Sequence, residues 1–157
     1  MDQKPRTERP GDPQDALQLS KQLCFAVYST AHAFNRAYKP LLAPLDLTYP
    51  QYLVMLVLWQ QDDLTVKEIG AQLQLDSGTL TPLLKRMAGA RLIERIRDSG
   101  DERQVRIKLT AKGAALRERA RDIPLQVADA LGRSLPEISA LRQQLSALRD
   151  TLEANVA

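Results

Sequence analysis

Apolar and polar positions along this chain follow a helical period for most of its length and change to a period of two over one short stretch. Asp15 is placed to cap a long first helix, with Leu17, Leu23, Val27, Phe34 and Leu41 as its inward positions and Pro40 and Pro44 kinking or ending it. A second helix, from about Pro50 to Gln61, is apolar on most sides and is therefore expected to be central and buried. Thr65 and Glu68 have capping-box spacing and open a short helix carrying Ile69, Ala71 and Leu73. Three turn residues follow. Asp76 or Ser77 then caps a further helix that ends near Gly89, with Leu80, Leu83, Leu84 and Met87 facing inward. Two short helices joined this tightly make a helix-turn-helix.

The segments 92–97 and 105–109 alternate apolar with charged residues, as strands with one buried face do. Residues 98–104 between them form a turn with Gly100 at its tip. A hairpin directly after a helix-turn-helix is a wing. Thr110 caps the next helix, expected to run to about Leu131 and to be disturbed at Pro124. Ser134 and Glu137 form a second capping box before a last helix with Ile138, Leu141, Leu145, Leu148 and Leu152 on one seam. The first and last helices can pack on each other or on a second copy. A dimer is the favoured reading, because their apolar stripes exceed what one small winged domain can cover. The expected fold is mainly α with a small β-hairpin wing, a winged helix-turn-helix dimerising through its first and last helices. Its segments are a mobile polar tail (1–14), an N-terminal dimerisation helix (15–45), the winged helix-turn-helix (46–112) and C-terminal dimerisation helices (113–157).

Composition narrows the function. Of 157 residues, 44% are hydrophobic and 26% charged, ordinary for a soluble protein. No apolar run approaches the roughly 18 residues of a membrane span, and the N-terminus has no secretory apolar core. The expectation is a cytoplasmic protein with no membrane association. One cysteine, Cys24, and one histidine, His32, allow no intrachain disulfide and no ordinary zinc site, so neither metal nor cofactor is expected. From Lys85 to Lys112 nine basic residues stand against four acids, a net +5 that leaves −2 for the rest of a chain carrying +3. Positive charge concentrated in one segment suits a polyanion, although a charge run alone is also an ordinary solvated face.

The helix from Asp76 has the chemistry to read DNA. Ser77, Thr79 and Thr81 offer short donors and acceptors near its N-terminus, and Lys85 and Arg86 follow at positions suited to phosphates. Arg95 adds a cation on the first strand of the hairpin. Arg103 near the hairpin tip suits a narrow minor groove, with Asp101 two residues away to hold it. An Asp/Arg pair in a loop is otherwise a weak surface ion pair.

All seven aromatic residues lie between Phe25 and Trp59, with Cys24 beside them. Tyr28 follows Cys24 by one helical turn, so the two share a face. A tyrosine hydroxyl can hydrogen-bond a thiolate, the form that attacks peroxide. A buried structural cysteine among core aromatics is the commoner arrangement, and the residues alone leave both open. His32 reads as a helix-surface or pocket-edge residue.

The segments DSGTLTPLLKRM and DERQVRIKLT resemble the multiple-antibiotic-resistance-regulator (MarR) family, and the resemblance extends from about Asp15 to the C-terminus. It implies a winged-helix homodimer on a pseudo-palindromic double-stranded DNA operator, with Arg103 in the minor groove and Asp101 as its tether. Within that family, LCFAVYSTAHAFNRAYKPLLAPLDLTYPQYLVMLVLW is similar to the organic hydroperoxide resistance regulators. Cys24 matches their reactive cysteine, Tyr38 and Tyr49 the tyrosines that reach it from the other subunit, and Tyr28 a further pocket tyrosine. An organic hydroperoxide is then the expected inducer. Unlike some members, this chain has no second cysteine, so oxidised Cys24 is expected to remain a sulfenic acid, form a mixed disulfide with a small thiol, or over-oxidise, and the sequence leaves open a Cys24–Cys24 disulfide across the dimer. The alternative is a regulator of the same fold released by a small phenolic ligand, with Cys24 structural. A thiol peroxidase lacks an activating residue, since His32 lies two turns along the same helix, so no enzyme is expected.

Overall fold

The computed structural model describes residues 17–101 and 103–156. The expected cap at Asp15 and the polar tail lie outside the described residues. The chain divides between Arg36 and Ala37 into two compact units. The first holds a short 3₁₀ turn, Leu19–Lys21, and then α1, Leu23–Leu42, whose last turns belong to the second unit. The continuous helix expected from Asp15 is thus interrupted. Gln22 takes an extended conformation (φ −83°, ψ 118°), which no α-helix can include. Pro40 lies inside α1 without ending it at once; its missing N–H removes one helical bond, and the helix stops two residues later at Leu42. A 3₁₀ turn containing Pro44, Ala43–Leu45, follows directly. Of the expected inward positions, Leu17, Leu23 and Val27 are exposed, while Phe34 and Leu41 are half-buried.

The second unit is built around α2, Tyr49–Gln60, which buries Tyr52, Val54, Met55, Val57 and Leu58. Its central position is as the sequence predicts. A capping box opens it: Thr48 N donates to Gln51 Oε1 at 2.8 Å, and Gln51 N donates back to Thr48 Oγ1. Strand β1, Leu64–Thr65, precedes α3, Val66–Leu73, and α4, Ser77–Gly89. The Thr65–Glu68 box caps α3 as expected. Of the apolar residues read from α3, only Ile69 is buried and Ala71 is exposed, because positions stepping by two spread around a helix. Between α3 and α4, Leu75 N donates to the Gly70 carbonyl at 2.9 Å. A Cβ at Gly70 would lie 2.7 Å from the Leu75 carbonyl oxygen, so a residue without a side chain lets this turn close. The four expected apolar residues of α4, Leu80, Leu83, Leu84 and Met87, are all buried, each contributing roughly 1.5–3 kcal/mol.

Strands β2, Ile93–Arg97, and β3, Val105–Leu109, form the hairpin, with β1 on the far side of β3 in the order β1-β3-β2. β1 escapes a periodicity reading because two residues show no period. In β2 the expected buried face fails after its first residue. Ile93, opposite Leu109, is buried, whereas Ile96, opposite Arg106, is 43% exposed. Three positions apart on a pleated strand, the two isoleucines face opposite ways. Thr110 caps α5, Ala111–Arg119, and a break at residues 120–122 separates it from α6, Ile123–Leu131. The interruption therefore falls before Pro124, which occupies the first turn of α6 where its lack of an N–H costs nothing. The Ser134–Glu137 box opens α7, Leu135–Val156, no residue of which is buried. Among the described residues no single helix is long and apolar enough to cross a membrane.

Candidate nucleic-acid interface and sensor cysteine

The start of α4 is shaped by Asp76. One carboxylate oxygen accepts from Thr79 N and the other from Thr79 Oγ1, both at 2.8 Å. These bonds, the side-chain one first, hold the Asp76 carboxyl below its usual range. Asp76 is thereby committed to capping the helix and fixing Thr79. Ser77, Thr79, Lys85 and Arg86 are exposed, and Thr81 is half-buried. Arg95 on β2 is exposed.

The wing tip is ordered by two aspartates. Asp98 Oδ1 accepts from Gly100 N at 2.8 Å and from Asp101 N at 3.1 Å, an Asx turn, and these bonds lower its pKa. Asp101 then accepts from Arg103 N at 3.1 Å and from Gln104 Nε2 at 3.2 Å. Arg103 Nε lies 3.7 Å from Asp101 Oδ1, and its side chain is 96% exposed. Such an ion pair adds little stability. Its effect is to present one cation at the end of the hairpin. The structure thus brings Asp101 and Arg103 together as the sequence predicts. The role of Asp98 is legible afterwards in the Asp-x-Gly order of the turn. Asp63 and Arg106, which also bear on the wing, are 43 residues apart and carry no local signal.

Cys24 lies in the first turn of α1 and is exposed, so a buried core cysteine is not what the protomer contains. Tyr28 is 62% exposed, stacked on Phe25 at 6.5 Å and meeting the His32 ring edge-on at 4.4 Å. In the second unit Tyr38 lies 4.6 Å from Tyr49 and 5.7 Å from Tyr52, ring centre to ring centre. Tyr52, three residues after Tyr49, is the member of this cluster that the sequence reading omits. Burial, and then the neighbouring Tyr49 and Tyr52, push the Tyr38 hydroxyl up to about 12. Burial also raises Tyr49 and Tyr52. At neutral pH all three phenols remain protonated and can donate. An open groove of about 630 Å³, which shares Tyr52 with this cluster, is lined also by Leu56 and Trp59 of α2 together with Arg117, Arg121 and Pro124.

Comparison with known proteins agrees with this architecture. A family model of the SarA/Rot transcriptional regulators matches residues 36–119. The HTH-type transcriptional regulator TtmR of Methylorubrum extorquens is 54% identical over 140 residues, 89% of this chain and 72% of that protein. The organic hydroperoxide resistance transcriptional regulator of Bacillus subtilis is 48% identical over 138 residues, 88% of this chain and 94% of that protein. Reduced AbfR bound to DNA, from Staphylococcus epidermidis, aligns at 33% identity with a TM-score of 0.79, covering 92% of this chain and 99% of that one. The disulfide form of AbfR aligns with a TM-score of 0.59 over 91% and 95%. The winged helix-turn-helix, its wing and these relatives together place the chain: it belongs to the MarR family of DNA-binding transcriptional regulators, and within it to the organic hydroperoxide resistance regulator type.

Proposed function

We propose that this protein is a cytoplasmic homodimeric repressor that senses organic hydroperoxides through Cys24 and then releases its operator. The observation that carries the reading is an exposed Cys24 at the start of α1, in a chain 48% identical to an organic hydroperoxide resistance regulator. In this reading 15–45 senses and dimerises, 46–112 binds DNA and 113–157 completes the dimer. Ser77, Thr79 and Thr81 face base edges, Lys85, Arg86 and Arg95 face phosphates, Asp76 fixes Thr79, and Arg103, held by Asp101, enters the minor groove of a pseudo-palindromic site. Tyr28, with Tyr38 and Tyr49 of the partner subunit, surrounds the Cys24 sulfur and donates hydrogen bonds to its thiolate.

The thiolate attacks the terminal oxygen of the hydroperoxide. The O–O bond breaks, sulfur keeps the OH as a sulfenic acid, and the alkoxide leaves and is protonated to an alcohol. A small thiol can then displace water to form a mixed disulfide. The bulkier polar group disturbs the tyrosine pocket, shifts the first helices and respaces the two recognition helices. A dimer reading two half-sites at fixed spacing then loses one of them. Repression of a peroxide-detoxifying gene would be relieved in this way.

The groove lined by Tyr52, Trp59 and Arg117 favours a second reading, in which a small phenolic ligand releases DNA without Cys24 chemistry. Operator gel shifts with and without stoichiometric organic hydroperoxide, for wild type and Cys24→Ser, separate the two. Release of wild type alone, reversed by reductant, is expected. Two proteins that both stay bound remove the redox reading and leave the fold untouched.

A further inference from the structure

A wing is a lever. A five-residue strand is about 16 Å long, so a swing of ~10° carries its tip roughly 3 Å. That is half the width of a minor groove of about 6 Å. Something must fix the direction of the hairpin relative to α4. Backbone pairing of β2 with β3 holds the hairpin together, and the two-residue pairing of β1 with β3 ties only its base, so the direction of the outer part is left to side chains.

The side chain of Arg106 supplies the connection. It sits on β3 opposite Thr65 of β1 and Ile96 of β2. Its Nε donates to Asp63 Oδ1 at 2.7 Å, and its Nη2 donates to the Asp63 carbonyl oxygen. Its Nη1 reaches Asp98 Oδ2 at 3.4 Å. One guanidinium thus spans from the residue before β1 to the first residue of the wing turn. Asp63 adopts a left-handed conformation (φ 58°), and both its carbonyl and its carboxylate accept from Arg106. Lys108 Nζ approaches the second Asp63 oxygen at 3.5 Å. The network is only partly open to water, with 34%, 39% and 22% of the Arg106, Asp63 and Asp98 side chains exposed. Asp98 turns its other oxygen to the Gly100 and Asp101 N–H groups, and Asp101 accepts from Arg103 N. The contacts run unbroken from Asp63 through Arg106, Asp98 and Asp101 to Arg103. A planar fork can serve two acceptors at fixed angles, which a lysine ammonium does not.

We propose that Arg106, bridging Asp63 and Asp98, is a positioning residue that aims the wing so that Arg103 meets the minor groove in register with α4. The inference rests on the reading of Arg103 as the groove contact.

The test is a double-mutant cycle on operator affinity: wild type, Arg103→Ala, Arg106→Met and the double variant, each with a thermal melt. Arg103→Ala is expected to weaken binding roughly tenfold or more. Arg106→Met is expected to weaken it about three- to thirtyfold in wild type and less than about twofold in the Arg103→Ala background. Asp98→Asn keeps the Asx acceptor but sets an amide beside Arg106. It is expected to give the same coupled loss, and it carries the test where Arg106→Met melts early. Equal losses with and without Arg103, or no loss at all, overturn the proposal. A silent Arg103→Ala instead removes the groove reading, and the inference falls with it; that single arm tells the two failures apart.

Discussion

Trp59 donates its indole N–H to the carbonyl oxygen of Gly113 at 3.0 Å, and a Cβ on that same glycine would lie 2.0 Å from the carbonyl oxygen of Leu92. Gly113 is therefore where the core helix α2, the start of the wing and the first turn of α5 come into contact. Thr110 reinforces the junction, its Oγ1 donating to the Arg91 carbonyl at 2.7 Å. Gly113→Ala drives the new Cβ into the Leu92 backbone carbonyl, which no rotamer relieves. It is expected to cost about 1–3 kcal/mol or more in urea unfolding. Trp59→Phe removes only the hydrogen bond and part of the packing, and about 1 kcal/mol is expected. A Gly113→Ala variant as stable as wild type would mean that the strand and helix separate freely, and the wing would then lack a fixed base.

The tyrosine cluster gives a pH prediction. Tyr38 titrates at about 12 because burial and its two tyrosine neighbours disfavour the phenolate. A folded pKa above the unfolded value near 10 contributes stability that is complete below about pH 10 and is lost as pH rises through 12. Phenolate absorbance followed with pH should show Tyr38 ionising late, and Tyr38→Phe should remove that late step. An ordinary titration near 10 for every tyrosine would show that Tyr38 is not enclosed with Tyr49 and Tyr52. Acid base catalysis by a tyrosinate at neutral pH is not available to this cluster. Hydrogen-bond donation is.

How much of this was legible beforehand depends on range. Local signals sufficed for the capping residues Thr65, Asp76, Thr110 and Ser134, and for the four inward residues of α4, since caps and helical spacing are set within a few positions. Contacts set by distant pairing were hidden. Arg106 reads as one cation in a basic run until β3 lies beside β1 and Asp63 comes within 2.7 Å. Ile96 looks inward by alternation counted from Leu92, yet the strand starts at Ile93 and the face reverses. Gln22 is neither proline nor glycine, so nothing local announced the interruption there, whereas Pro124 did signal the break at residues 120–122 that lies just before it. The candidate sensor residues needed a resemblance, because one cysteine near tyrosines is chemically ambiguous.

Charge on α4 sets a second expectation. Lys85 and Arg86 are exposed, one or two turns beyond the Thr79 region. If they neutralise phosphates, Lys85→Ala and Arg86→Ala each lower the slope of log affinity against log salt by about 1. They should also weaken specific and unrelated DNA nearly alike. Thr79→Val should instead weaken the operator selectively, leaving the salt slope unchanged. A salt slope unaffected by either cation would place both away from the backbone.

The dimer prediction rests on α7. Leu141 and Leu145 are each 45% exposed, Leu152 is 56% exposed, and Ile138 and Leu148 on the same seam are half-buried. A 22-residue helix with no buried residue gains little from its own protomer, whereas a stripe spaced at threes and fours gains by meeting another like it. Leu145→Asp sets a charge in the middle of that stripe. Burying an unpaired carboxylate costs several kcal/mol, enough to dissociate a dimer at micromolar concentration. The helix itself is expected to persist, because Glu137 accepts from Ser134 at its start and no core contact is removed. Sedimentation velocity should therefore show wild type as a dimer and Leu145→Asp as a monomer, with far-ultraviolet circular dichroism nearly unchanged. A monomer reads one half-site, so operator affinity should fall together with the dimer. If Leu145→Asp stays dimeric at the same concentration, the α7 seam is not the interface, and a respacing mechanism would have to run through α1 alone.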